Sequence, residues 1–177
     1  MQMTRSILAT CLVVTLALAG CGPAGDAPLG ASGAAVATLA PITVGADLTA
    51  IDVCKAIPQA AIEAAMGRKL VGDPQPFEYY DATGSSGCAY DAGRGADGEA
   101  FFGYVALTPP EVYDQQPLYR NAEVAGIGQS AYFNNGADAR QLWVKVNDRA
   151  ALVVAFGDAP NEAGAQTIAQ AVVNAIR

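Results

Sequence analysis

The sequence predicts an α+β domain, with an antiparallel sheet of about six strands flanked by helices in the order α-βββ-α-βββ-α. Three observations predict it. Glu99 to Thr108 alternates, with Phe101, Gly103, Val105 and Leu107 set against Phe102, Tyr104 and Ala106, the pattern of an antiparallel strand between two unlike faces. Asn134-Asn135-Gly136 and Asn147-Asp148 supply turn chemistry between short apolar runs, as hairpins require. Helical apolar spacing follows Pro58 and Pro160, near the two ends of that region.

The elements follow in order. Pro58 suits a helix's first turn and Gly67 its C-terminal stop, with Ile62, Ala65 and Met66 on one face between them. Gln75 to Tyr80 and Gly87 to Ala92 are short strands, and the strand Glu99 to Thr108 ends at Pro109-Pro110. Glu111 to Gln116 is a helical turn. Ala131 to Phe133, Gln141 to Asn147 and Ala150 to Phe156 are three further strands, with Leu142, Val144 and Val146 alternating against Trp143, Lys145 and Asn147. Pro160 opens a long final helix whose apolar stripe is Ala165, Ile168, Ala169, Val172 and Ile176. The length of 51–177 suits a single domain with one core.

Upstream lies a different kind of sequence. Arg5 precedes an apolar run, Ile7 to Leu18, broken only by polar Thr10 and Thr15. That run is shorter than the about 20 residues a membrane-spanning helix needs. A basic start, a short apolar middle and small residues before a cut form an export signal. Its end, Leu18-Ala19-Gly20-Cys21, matches the bacterial lipobox, which predicts cleavage before Cys21 and diacylglycerol on its thiol. Each buried acyl CH₂ contributes roughly 0.8 kcal/mol, so two or three chains hold stably. The expected address is the extracytoplasmic side of the cell envelope, membrane-anchored through Cys21. In a Gram-negative cell, Gly22 in place of Asp favours the outer membrane. Residues 21–50, rich in Ala, Gly, Pro and Thr, read as a flexible tether with a random-coil reach of roughly 30 Å.

Removing residues 1–20 takes one cation, Arg5, and no acid, so the formal charge moves from −7 to −8. An acidic domain is a poor fit to nucleic acid, which is bound through Lys and Arg on phosphates. Of four Cys, Cys11 leaves with the signal and Cys21 is acylated. Cys54 and Cys88 remain, and an oxidising compartment makes them a disulfide. Closing that loop contributes roughly 3–4 kcal/mol in the chain-entropy account. The rival, a redox or metal pair, has neither a His nor a C-x-x-C to support it.

Cys54, Ala64-Ala65-Met66-Gly67, Gly87-Cys88-Ala89-Tyr90, Val124-Ala125-Gly126-Ile127-Gly128-Gln129-Ser130-Ala131-Tyr132, a Val-Lys-Val-Asn-Asp hairpin and a final amphipathic helix form one layout. It resembles small envelope lipoproteins of unknown function, common in actinobacteria and related in layout to the PsbP/Mog1-like α+β fold. The resemblance covers about residues 51–177. It implies a Cys54–Cys88 bridge and no known activity.

Motifs that suggest chemistry meet structural objections. Gly93-Arg94-Gly95-Ala96-Asp97-Gly98 matches G-x-G-x-x-G, but a dinucleotide site needs a helix after the glycines, and here a strand follows. It reads as a hairpin loop. Gly126 and Gly128 read as turn positions needing positive φ or close backbone approach. Gly84-Ser85-Ser86-Gly87 is not a nucleophile elbow. Without His there is no Ser-His-Asp triad, and Lys55, Lys69 and Lys145 stand in no S-x-x-K relation to a serine. Asp91, Asp97 and Glu99 do not follow an EF-hand spacing and read as a solvated acidic loop. We therefore expect no cofactor, no metal and no catalytic set.

Tyr79, Tyr80, Tyr90, Phe102, Tyr104, Tyr132 and Trp143 lie on or beside strands. Such rings serve as core, or as an aromatic-rimmed groove for a partner peptide or small ligand. Trp143 and Tyr104 are the candidates for such a surface. The expected function is a lipid-anchored, non-enzymatic module that binds an envelope protein or a small ligand. Two alternatives stand beside it: a structural subunit of an envelope assembly, and a cell-wall sugar hydrolase using two carboxylates about 5–10 Å apart.

Overall fold

The computed structural model describes residues 38–79, 83–95, 98–116, 120–135, 140–157 and 161–177. The expected signal, Cys21 and the tether up to residue 37 lie outside them, as do Tyr80, Asp97, Gly136 and Pro160.

The chain is α+β, and its sheet is entirely antiparallel. Among the described residues the helices are α1 (Val53–Ala56), α2 (Gln59–Met66), α3 (Pro110–Asp114) and α4 (Glu162–Ala175). The strands are β1 (Gln75–Phe77), β2 (Ser86–Arg94), β3 (Ala100–Thr108), β4 (Arg120–Glu123), β5 (Ser130–Asn135), β6 (Arg140–Lys145) and β7 (Ala151–Phe156). The sheet therefore has seven strands in the order β1-β2-β3-β7-β6-β5-β4, where the sequence predicts about six. The added strand is β4, whose Arg-Asn-Ala-Glu carries no apolar alternation. The added helix is the single turn α1, which holds Cys54 and is too short to show a period.

Two meanders meet in the middle of the sheet, β1–β3 and β4–β7, with β3 paired to β7. Strand β7 is buried on both faces. Its Leu152, Val154 and Phe156 join the main core, and its Ala151 and Val153 join a second cluster. A continuous apolar run bounded by turns is the signature of such a strand.

The first face carries the main core, beneath α2 and α4. Gly67 ends α2 in the left-handed conformation, φ 69°, as its sequence position predicts. Asn161 caps α4, its Oδ1 accepting from the Gly164 N–H at 3.0 Å. The same side chain donates from Nδ2 to the Ala65 carbonyl at the end of α2. A Cβ at Gly164 would collide with that carbonyl, so only glycine lets the two helices approach this closely.

The folded unit begins earlier than the boundary at residue 51. Leu39, Ile42, Val44 and Leu48 are all buried in the main core. Ile42 forms a parallel bridge with Ile176, its N–H donating to the Ala175 carbonyl at 2.8 Å, while Arg177 N–H donates back to Ile42 at 3.0 Å. Residues 38–44 are thus a strap along the end of α4. Four separated apolar side chains among Ala, Thr, Pro and Gly set no period in sequence, yet each finds a place in the core.

Candidate functional site

The second face of the sheet carries the aromatic cluster. Pro110 occupies the first turn of α3, where its missing N–H costs nothing, and Glu111 adds an acid there. This short helix lays Tyr113 and Val112 against Tyr132, Trp143, Ala151 and Val153. Tyr113 and Tyr132 have ring centroids 5.1 Å apart, and the Tyr113 hydroxyl shares a 2.8 Å hydrogen bond with Ser130 Oγ. Lys145 on β6 holds α3 down through Asp114, Nζ to Oδ2 3.0 Å.

Trp143 and Tyr104 belong to one cluster. The indole N–H of Trp143 donates to Gln141 Oε1 at 2.9 Å, and Gln141 Nε2 donates to the Tyr104 hydroxyl at 2.7 Å. Tyr79 bridges their rings, with centroids 5.7 Å from Trp143 and 5.9 Å from Tyr104. Ser85 fixes Tyr79 by accepting from its backbone N–H at 2.7 Å. Phe77 adds an edge contact to Tyr104 at 5.7 Å.

Trp143 is only 1 % exposed, so it serves as a wall rather than a surface. Tyr104 is half-buried. Sequence reasoning omitted Gln141 and Phe77. Gln141 lies two residues before Trp143 on the same strand face, and a polar residue at that offset was a visible signal. Phe77 owes its position to Gly87, where a Cβ would stand 2.6 Å from its ring. Nothing in the local sequence announces that contact.

Cys54 and Cys88 are joined by a disulfide with Cα atoms 5.0 Å apart, within the ordinary range. It ties α1 to β2, and Cys88 is fully buried. Beside it, a cleft of about 480 Å³ runs between residues 49–53 and β1, with Asp52, Phe77, Glu78 and Ser86 in its lining. A second concavity of about 520 Å³ lies between α3 and the loop 124–129. Gly126 and Gly128 in that loop have φ of 83° and 60°, as their turn role requires. A Cβ at Gly128 would meet the Lys145 carbonyl at 2.6 Å.

The chemistry these clefts offer is limited. Asp52 is held below the usual carboxylate range by its hydrogen bond from the Lys55 ammonium and by the Lys55 backbone N–H. An acid that protonates a glycosidic oxygen needs the opposite shift. The G-x-G-x-x-G segment connects β2 to β3 in an antiparallel hairpin, so no helix N-terminus faces its glycines. Among the described residues no three His, Cys, Asp or Glu side chains gather as a metal set, and no helix is long and apolar enough to cross a membrane. No protein-family model, no curated protein and no solved structure matches the chain.

Proposed function

We propose that the protein is a lipid-anchored envelope module that binds a protein or small ligand without catalysing a reaction. The observation that carries this reading is the Cys54–Cys88 disulfide, because a buried structural cystine belongs to an oxidising, exported compartment. The lipobox ending at Cys21 supports the anchor, and the resemblance to small envelope lipoproteins agrees with it. The exposed Phe102 beside the aromatic cluster supports a binding role, since aromatic rings bury large contact areas.

Two measurements on the full-length chain test this. Labelled palmitate should enter the wild-type protein, which should sediment with membranes. Cys21→Ser should lose both properties, and an unchanged label in that variant would overturn the anchor. Native mass spectrometry of the protein recovered from its own envelope should show a bound small molecule or a stoichiometric partner. A chain that is always bare would overturn the binding role.

A further inference from the structure

Helix α3 covers the second face over β6 and β7. The half carried by β1, β2 and β3 lies beyond it. There Phe102 is 42 % exposed. It shares a strand face with Tyr104 and sits cross-strand from the exposed Asp91. Phe77 extends the aromatic surface toward the sheet edge. Ala89, paired with both Tyr104 and Gln75, forms a low floor between them.

This half is also acidic. Asp91 is exposed on this face, and Asp73, Glu78 and Glu99 are exposed at the ends of its strands, Glu78 beside the cleft at residues 49–53. Among the described residues the ion pairs are Lys55–Asp52, Lys69–Glu63, Arg140–Glu162 and Lys145–Asp114, and these four carboxylates enter none of them. Arg94, the cation of this stretch, directs its guanidinium to the Gly98 carbonyl at 2.7 Å.

We propose that this face docks a basic, extended segment of a partner protein, with lysine or arginine side chains over Phe102 and Tyr104 and opposite Asp91. The inference rests on the reading of the protein as a binding module and names its partner class. Aromatic faces attract cations, and carboxylates outside those ion pairs draw a basic chain in and repel the wrong one. The same field opposes a second copy of this acidic chain, anionic lipid headgroups and nucleic acid. An exposed strand face accepts an extended segment along its rows of side chains.

The test is titration of the full-length chain with a lysine decapeptide, followed by fluorescence at low and moderate salt. Phe102→Leu keeps apolar area but removes the π face, and should weaken binding about fivefold. Asp91→Asn should weaken it by a similar factor. Glu123→Gln, on β4 at the opposite edge of the sheet, should leave it unchanged. Near-UV circular dichroism verifies that each variant is folded. Equal weakening by Asp91→Asn and Glu123→Gln would mean attraction to net charge alone and would overturn the site. So would an unchanged affinity in Phe102→Leu, or no binding of the peptide. The binding-module reading would survive that last result, because it is tested by the partner or ligand recovered from the envelope.

Discussion

Gln141 shows how one side chain can organise a face. It is a half-buried polar residue between the buried Trp143 and the half-buried Tyr104, and its amide gives one hydrogen bond to Tyr104 and takes one from Trp143. Buried polar atoms left without partners are expensive, so this side chain fixes both ring orientations at once. The cystine acts differently, through the unfolded chain. Its ends are separated by 34 residues, and losing that closure costs about 3–4 kcal/mol. The double variant Cys54→Ala/Cys88→Ala should therefore lower the urea midpoint strongly. An unchanged midpoint would show that α1 is held by its other contacts. The cystine was legible from cysteine arithmetic. The pairing of Tyr104 with Trp143 was legible as a choice of residues, but the burial of Trp143 was not. Burial there depends on α3 and Tyr79, which reach it from distant stretches of chain.

Among the elements, the junction of α2 and α4 is the most exacting. Asn161 satisfies an N–H of its own helix and a carbonyl of the other. Asn161→Ala should cost about 1–2 kcal/mol, measurable as a fall in thermal midpoint with the native fold retained. A neutral result would mean that the Ala65 carbonyl finds another donor. Strands with clear alternation or continuous apolar runs, β3, β6 and β7, could be read from sequence. Strand β4 could not, because an edge strand is stabilised by its neighbour β5 and needs no apolar period of its own. The strap is hidden for a related reason: its three buried side chains, Leu39, Ile42 and Val44, are defined by α4 and the sheet, not by their own spacing. Each outer edge is also broken, β1 by Pro76 and β4 by a register shift between Arg120 and Ala122, features that discourage edge-to-edge pairing.

At the scale of the whole molecule, the acidic surface sets the response to pH. Asp47 is held below its usual range by Thr49's hydroxyl and backbone N–H, and Asp52 by the Lys55 ammonium and N–H. Glu63 is lowered by Lys69, Gln59 and the Leu70 N–H. A folded pKa lower than the unfolded one contributes stability above the unfolded value and loses it as pH falls through the folded value. Stability should therefore be level at neutral pH and decline once pH drops below the ordinary carboxylate range. Denaturant titrations across that interval measure the decline. Because Asp47 and Asp52 face solvent, salt should shrink their share, while the largely covered Glu63 is screened less. A loss of stability beginning near neutral pH would contradict this account.

The strap of residues 38–44 gives the chain two distinct responses to proteolysis. A peptide bond cut before Leu39 spares every buried side chain among the described residues and the backbone bonds between Ile42 and the end of α4. The product keeps the whole described core. A cut a few residues later, between Ile42 and Leu48, detaches buried side chains from the core and exposes the flank of α4. Trimming and destruction are separated by a few residues of sequence, and burial rather than chain position decides between them.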